Sequence, residues 1–170
     1  HSDVKTANIF MTRKTEANGE RGEPTGVLID GGAYRLLAAG ATNPEAIGAL
    51  RVFGNAHAIA PEMARGGNVD AASDIYAVGV ALYESLSGKR PFEGSSAFDI
   101  IAKPLDKPAQ APSELAPKGW IAPELDAIVL KSLAKDPADR YRSASELCEA
   151  LEAFAKSKEK KVDLDKGAFD

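Results

Sequence analysis

His1-Ser2-Asp3-Val4-Lys5-Thr6-Ala7-Asn8-Ile9 opens the chain and brings an aspartate, a lysine and an asparagine into one short segment. Phosphoryl transfer from a nucleotide asks little covalent chemistry of a protein. It needs a base to orient the acceptor hydroxyl, cations to neutralise the phosphate oxygens, and oxygen ligands to hold those cations. Asp3, Lys5 and Asn8 supply one of each kind. A second metal ligand is expected at a nearby strand end, and Val27-Leu28-Ile29-Asp30-Gly31-Gly32 is an apolar run that delivers a carboxylate into a glycine turn. Asp30 is the candidate for it. Read singly, Asp3 and Asp30 are also what turn aspartates look like, and Lys5 what an exposed lysine looks like; the spacing is what favours chemistry.

Outward from this segment, the 170 residues carry 44% apolar side chains, enough for a core in one domain. The net charge of −4 gives no reason to expect the concentrated basic face that nucleic acid requires. A single cysteine excludes an internal disulfide. No apolar stretch reaches the roughly 20 residues that span a bilayer, and no leader is visible, so the cytoplasm is the expected compartment.

Residues 9–12 and 26–30 read as two short strands, joined by a polar connection, Arg13 to Thr25. Ala33 to Ala60 lacks sustained periodicity and is expected to be disordered. Ser73 to Ser87 is apolar nearly all round, through Ile75, Val78, Val80, Leu82 and Leu86, and predicts a helix buried on every side. Ser73 is expected to cap its start and Gly88 its end. Phe98, Ile100 and Ile101 suggest a further short helix, and Pro104 to Pro117 is expected to lack regular structure. Pro123 opens the next helix, with Leu125, Ile128, Val129 and Leu133 on its buried face. A capping box of Ser143 and Glu146 starts the last helix, with Leu147, Leu151 and Phe154 inward. Lys156-Ser157-Lys158-Glu159-Lys160-Lys161 then leaves the core as a solvated linker. His57 and Cys148 have no evident partners and are expected to serve packing.

The pattern resembles the C-terminal lobe of a bacterial, eukaryotic-like Ser/Thr protein kinase. His1 to Asn8 resembles that family's His-Arg-Asp-Leu-Lys-Pro-x-Asn catalytic loop, and Asp30-Gly31-Gly32 its Asp-Phe-Gly element. Ala60-Pro61-Glu62 matches the close of the activation segment, and Ser73-Asp74-Ile75-Tyr76-Ala77-Val78-Gly79 resembles the buried central helix. Gly88-Lys89-Arg90-Pro91-Phe92 and Lys135-Asp136-Pro137-Ala138-Asp139-Arg140 look like the two late landmarks.

The resemblance implies a mainly α (α+β) fold, a helical bundle around a buried central helix with a small β-hairpin at the catalytic loop. Residues 1–155 would be a partial kinase domain and 156–170 a charged linker or tail. It implies ATP and Mg2+ as cofactors, and a protein substrate with a Ser or Thr acceptor. Asp3 and Lys5 would be catalytic, Asn8 and Asp30 would bind Mg2+ and nucleotide, and His1, Glu62, Asp74 and Arg140 would give structural support. Asp74 would accept backbone N–H bonds from the catalytic loop, and Glu62 would pair with Arg140. The family's nucleotide-covering N-lobe would precede His1, so the chain is expected to be a fragment of a longer protein, inactive by itself and exposing apolar surface.

Four departures bear on activity. Ser2 replaces the arginine before the catalytic aspartate, and Ile47 and Ala49 stand near the usual phosphosite, which predicts no activation-loop phosphoswitch. Gly31 replaces a phenylalanine whose pocket would be empty unless a neighbour fills it. Asn55 replaces a threonine that bonds the catalytic residues, and Ala58 replaces an aromatic, which weakens the expectation for substrate docking. Two readings result: a Ser/Thr kinase that acts in signal transduction without loop phosphorylation, and a pseudokinase lobe that serves as a binding or allosteric platform.

Overall fold

The computed structural model describes residues 1–15, 19–31 and 56–166, with side chains as far as residue 158. Asn55, Gly32 and the rest of 32–55, including the expected disorder and the phosphosite, lie outside the described residues. A three-residue turn at Thr6–Asn8 leads into β1 (Ile9–Thr15) and β2 (Arg21–Leu28). After a second turn at Ala56–Ala58 come α1 (Pro61–Ala64), α2 (Ala71–Ser87), α3 (Ala97–Asp106), α4 (Pro112–Leu115), α5 (Pro123–Ser132), a turn at Pro137–Asp139 and α6 (Ala144–Lys166). The fold is mainly α with a small antiparallel hairpin, as the sequence implied.

Helix α2 is the axis. One side of it joins Tyr76, Val80 and Tyr83 to Ala60, Val129 and Leu133, and the other joins Ile75 to Ile128, Tyr141 and Leu147. Fully burying a side chain such as Val129 stabilises by about 1.5–3 kcal/mol, so these two clusters dominate the lobe. The start of α2 differs from expectation. Asp70 is its cap: Asp70 Oδ1 accepts the Ser73 N–H at 3.1 Å, and Ser73 Oγ accepts the Asp70 N–H at 3.1 Å. Aspartate and serine have exchanged the usual places of a capping box, which is why the sequence drew attention to Ser73. Gly88 ends the helix at φ 68°, with nothing within 4 Å of a notional Cβ, so its conformation and not its space calls for glycine.

Gly79 is the opposite case. A Cβ there would lie 2.8 Å from the Cβ of Ser132 and 3.2 Å from Cδ2 of Leu133, so α2 and α5 meet through this residue. Gly79→Ala gains helix propensity worth ~1 kcal/mol but overpacks a contact that cannot give, at about 1–3 kcal/mol. A net loss is expected, read as a lower urea midpoint.

The hairpin is longer than the sequence suggested. Ladder pairs run from Ile9–Leu28 to Thr15–Arg21, with an irregularity between Arg13 and Thr15. The expected polar connection is therefore mostly strand; its residues face solvent on both sides, so no burial period marks them. Pro24 is accommodated because a two-stranded ribbon has only edges. Ile9, Phe10, Met11, Val27, Leu28 and Ile29 are all exposed, Met11 by 67%.

Three further expectations change. Residues 56–60 are ordered, with Ala60 fully buried. Pro104 lies inside α3 and Pro112 begins α4, so the Pro-rich passage is part-helical: Pro112 sits at a first turn, where its missing N–H costs nothing. Helix α6 continues to Lys166, so the run after Phe154, expected to be a linker, is helical. The Ser143–Glu146 box is half formed. Ser143 Oγ accepts the Glu146 N–H at 3.1 Å, but the Glu146 carboxylate turns back to the Arg142 N–H at 2.8 Å. Among the described residues no helix is long and apolar enough to cross a membrane.

Candidate active site

The segment His1–Asn8 has little regular structure, so its shape comes from elsewhere. Asp74, in the first turn of α2, accepts the main-chain nitrogens of His1 at 2.6 Å and Ser2 at 2.9 Å on its two oxygens. Val4 is buried and pins the middle. The Asn8 N–H donates to the Lys5 carbonyl at 2.9 Å, and the Ile29 N–H to the Asn8 carbonyl at 2.9 Å. That last bond brings the end of β2, and so Asp30, alongside Asn8.

Within this frame Asp3 is the hub. Its Oδ2 accepts from Lys5 Nζ at 2.6 Å and from Asn8 Nδ2 at 3.1 Å. Asn8 Nδ2 also donates to the Asp3 carbonyl at 2.9 Å. Lys5 and Asn8 thus clamp one carboxylate oxygen, and Asp3 Oδ1 has no partner among the described residues. The Asn8 amide orientation follows from chemistry: both Asp3 groups can only accept, so the nitrogen must face them, and Asn8 Oδ1 remains an acceptor with no partner among the described residues.

Asp30 is exposed and sits at φ 59°, while Ser2 sits at φ 74°. Left-handed backbone at non-glycine residues is costly and clusters at functional sites; here the two flank the same loop. The oxygens of Asn8 and Asp30 are the hard donor set that Mg2+ prefers.

Gly31 packs closely against His1. A Cβ on it would lie 3.1 Å from His1 Cδ2 and 3.2 Å from Nε2, so the imidazole crowds the position from which a side chain would start. His1 Nδ1 faces the Asp3 N–H at 3.4 Å, and its buried Nε2 has no partner among the described residues. Gly31→Phe is therefore expected to displace the ring and lower stability by about 1–3 kcal/mol. A rise in the thermal midpoint would contradict this packing.

Glu62 and Arg140 form the expected pair. Arg140 Nη1 and Nη2 donate to the two Glu62 oxygens at 2.8 and 2.6 Å. The guanidinium also donates to the carbonyls of Ala72, Ala134 and Lys135, and stacks 5.0 Å from the Tyr76 ring centroid. Burial pushes the Tyr76 phenol well above its ordinary range, opposed by the Arg140 charge.

Sequence reasoning missed the partners of His57: its Nδ1 is 3.0 Å from the Phe92 carbonyl and its Nε2 is 2.6 Å from Arg90 Nη1. It also missed Thr6, whose Oγ1 donates to Glu84 Oε2 at 2.7 Å. The Gly88–Phe92 landmark was the available signal, but nothing in it specified a histidine. Cys148 is exposed.

A family model described as the protein kinase domain matches residues 1–151. The chain is 39% identical over 153 residues to a probable serine/threonine-protein kinase of Streptomyces coelicolor, covering 90% of this chain and 21% of that protein. It is 37% identical over 147 residues to the serine/threonine-protein kinase PknB of Mycolicibacterium smegmatis, covering 86% of this chain and 21% of that one. The chain thus spans about a fifth of the length of these curated relatives. A solved twitchin kinase region from C. elegans aligns over 57% of this chain and 16% of its own, at 28% identity and a TM-score of 0.49.

Proposed function

The chain belongs to the protein kinase family, and on that premise we propose that the protein containing it transfers the γ-phosphoryl group of ATP to Ser or Thr hydroxyls of a protein substrate, in signal transduction. The carrying observation is the clamped carboxylate: Lys5 and Asn8 hold Asp3 Oδ2, and Oδ1 has no partner among the described residues. Asp3 orients the acceptor hydroxyl and takes its proton as the oxygen bonds to phosphorus and the bond to the β-phosphate bridging oxygen breaks. Lys5 places a cation beside the transferring oxygens. Asn8 and Asp30 would hold Mg2+, which neutralises phosphate charge when bound. Asp74 positions Asp3 through the loop backbone, His1 packs against Gly31, and Glu62 with Arg140 braces the lobe.

Residues 1–155 act as the C-lobe, with 156–170 a charged linker or tail. The exposed apolar ribbon supports an N-lobe of the same protein as its partner, and use of ATP fits a cytoplasmic setting. Ser2 offers no cation for an activation-loop phosphate, so activity is independent of loop phosphorylation.

The test is Mg2+-dependent transfer of labelled phosphate from ATP to a generic basic protein by the full-length protein, with Asp30→Asn alongside. Transfer that Asp30→Asn abolishes supports the reading. No transfer and no ATP binding would overturn it and leave a pseudokinase platform.

A further inference from the structure

A chain of polar contacts leaves the transfer loop that the reaction above does not use. From Thr6 it passes to Glu84 Oε2 at 2.7 Å, from Glu84 Oε1 to Arg90 Nε at 3.4 Å, from Arg90 Nη1 to His57 Nε2 at 2.6 Å, and from His57 Nδ1 to the Phe92 carbonyl at 3.0 Å. A guanidinium can only donate and a carbonyl can only accept. Both ends of His57 are satisfied together only by a neutral imidazole with its proton on Nδ1, so the whole chain runs donor to acceptor without conflict.

Its two ends matter. Thr6 follows Lys5 directly and lies, in sequence, between Asp3 and the Asn8 whose amide clamps it. His57 is the centre of the Ala56–Ala58 turn that runs into Ala60-Pro61-Glu62. Both turns rest on α2, and Glu84 is the α2 residue that reaches toward each. The chain contributes little to holding the fold together: Glu84 and Arg90 side chains are 30% and 46% exposed, and ion pairs so placed are worth little. Geometry is another matter, since misplacing an acceptor by ~1 Å can cost about a hundredfold in rate.

We propose that Thr6, Glu84, Arg90 and His57 are positioning residues that hold the Ala56–Ala58 turn in register with the Asp3 loop, and so present the protein acceptor to Asp3. This rests on the kinase reading.

The test uses the full-length protein with Thr6→Val, Thr6→Ser, His57→Leu, His57→Gln and the Thr6→Val/His57→Leu double variant. Serine keeps the hydroxyl, and glutamine keeps one donor and one acceptor. Thr6→Val and His57→Leu are each expected to raise KM for the protein acceptor about tenfold, with KM for ATP and the melting temperature unchanged. Thr6→Ser and His57→Gln should restore the native value. The double variant should be no worse than the worse single, because residues of one network are not additive. Independent, multiplying effects, or an equal rise in KM for ATP, would overturn the relay. Should the native protein transfer no phosphate, the kinase reading fails but the relay is still read by hydrogen exchange. Amides of residues 56–64 should then exchange about tenfold faster in Thr6→Val and not in Thr6→Ser, and unchanged exchange overturns it.

Discussion

Glu62→Ala is expected to destabilise the fold by about 3–5 kcal/mol, the cost of breaking a buried ion pair from one side. The asymmetry of the pair decides which partner to remove. The Arg140 side chain is fully enclosed while that of Glu62 retains 18% exposure, so removing the carboxylate strands a charge that water cannot reach. Arg140 would keep the carbonyls of Ala72, Ala134 and Lys135, which solvate but do not neutralise it. Arg140→Lys retains the charge but loses the two-pronged fit to Glu62 and should fall between native and Glu62→Ala. Urea unfolding of the native and variant proteins measures both; a loss below ~1 kcal/mol for Glu62→Ala would mean the pair behaves as a surface bridge.

Asp3→Asn is expected to lower kcat for phosphoryl transfer about a hundredfold to ten-thousandfold, the usual worth of a positioned general base. The geometry explains why so similar a side chain fails. Lys5 Nζ and Asn8 Nδ2 both donate to the Asp3 Oδ2 position, so an asparagine must place its oxygen there. Its NH2 then occupies the Oδ1 position and offers a donor where the acceptor hydroxyl needs an acceptor. The clamp survives, so ATP affinity should stay within about twofold of native while transfer is lost. Single-turnover transfer with an ATP-binding titration separates the two. Native kcat in Asp3→Asn would remove Asp3 from the chemistry.

The candidate residues could be named from the sequence because types and spacing are local properties: Asp3, Lys5 and Asn8 lie in one segment, and Asp30 ends an apolar run before glycines. The α2 core was legible for a similar reason, since an all-round apolar stretch with a glycine stop has few alternatives. Errors fell where polar pairing decides structure without a burial pattern. The outer half of the hairpin is solvent-facing on both sides and is held by ladder hydrogen bonds, and α6 continues beyond Phe154 through a charged run that carries no apolar period.

By itself the sequence determined which chemical groups the chain carries, the central helix that collects them and the order of the elements. Tertiary structure decided how those groups face one another. The Asn8 amide turns its nitrogen to Asp3, the His1 ring packs against Gly31, and Thr6 meets Glu84 across 78 positions of chain. Hydrogen bonds and ring contacts are directional and short-ranged, so they exist only once α2 has brought distant segments together, and no local pattern encodes them.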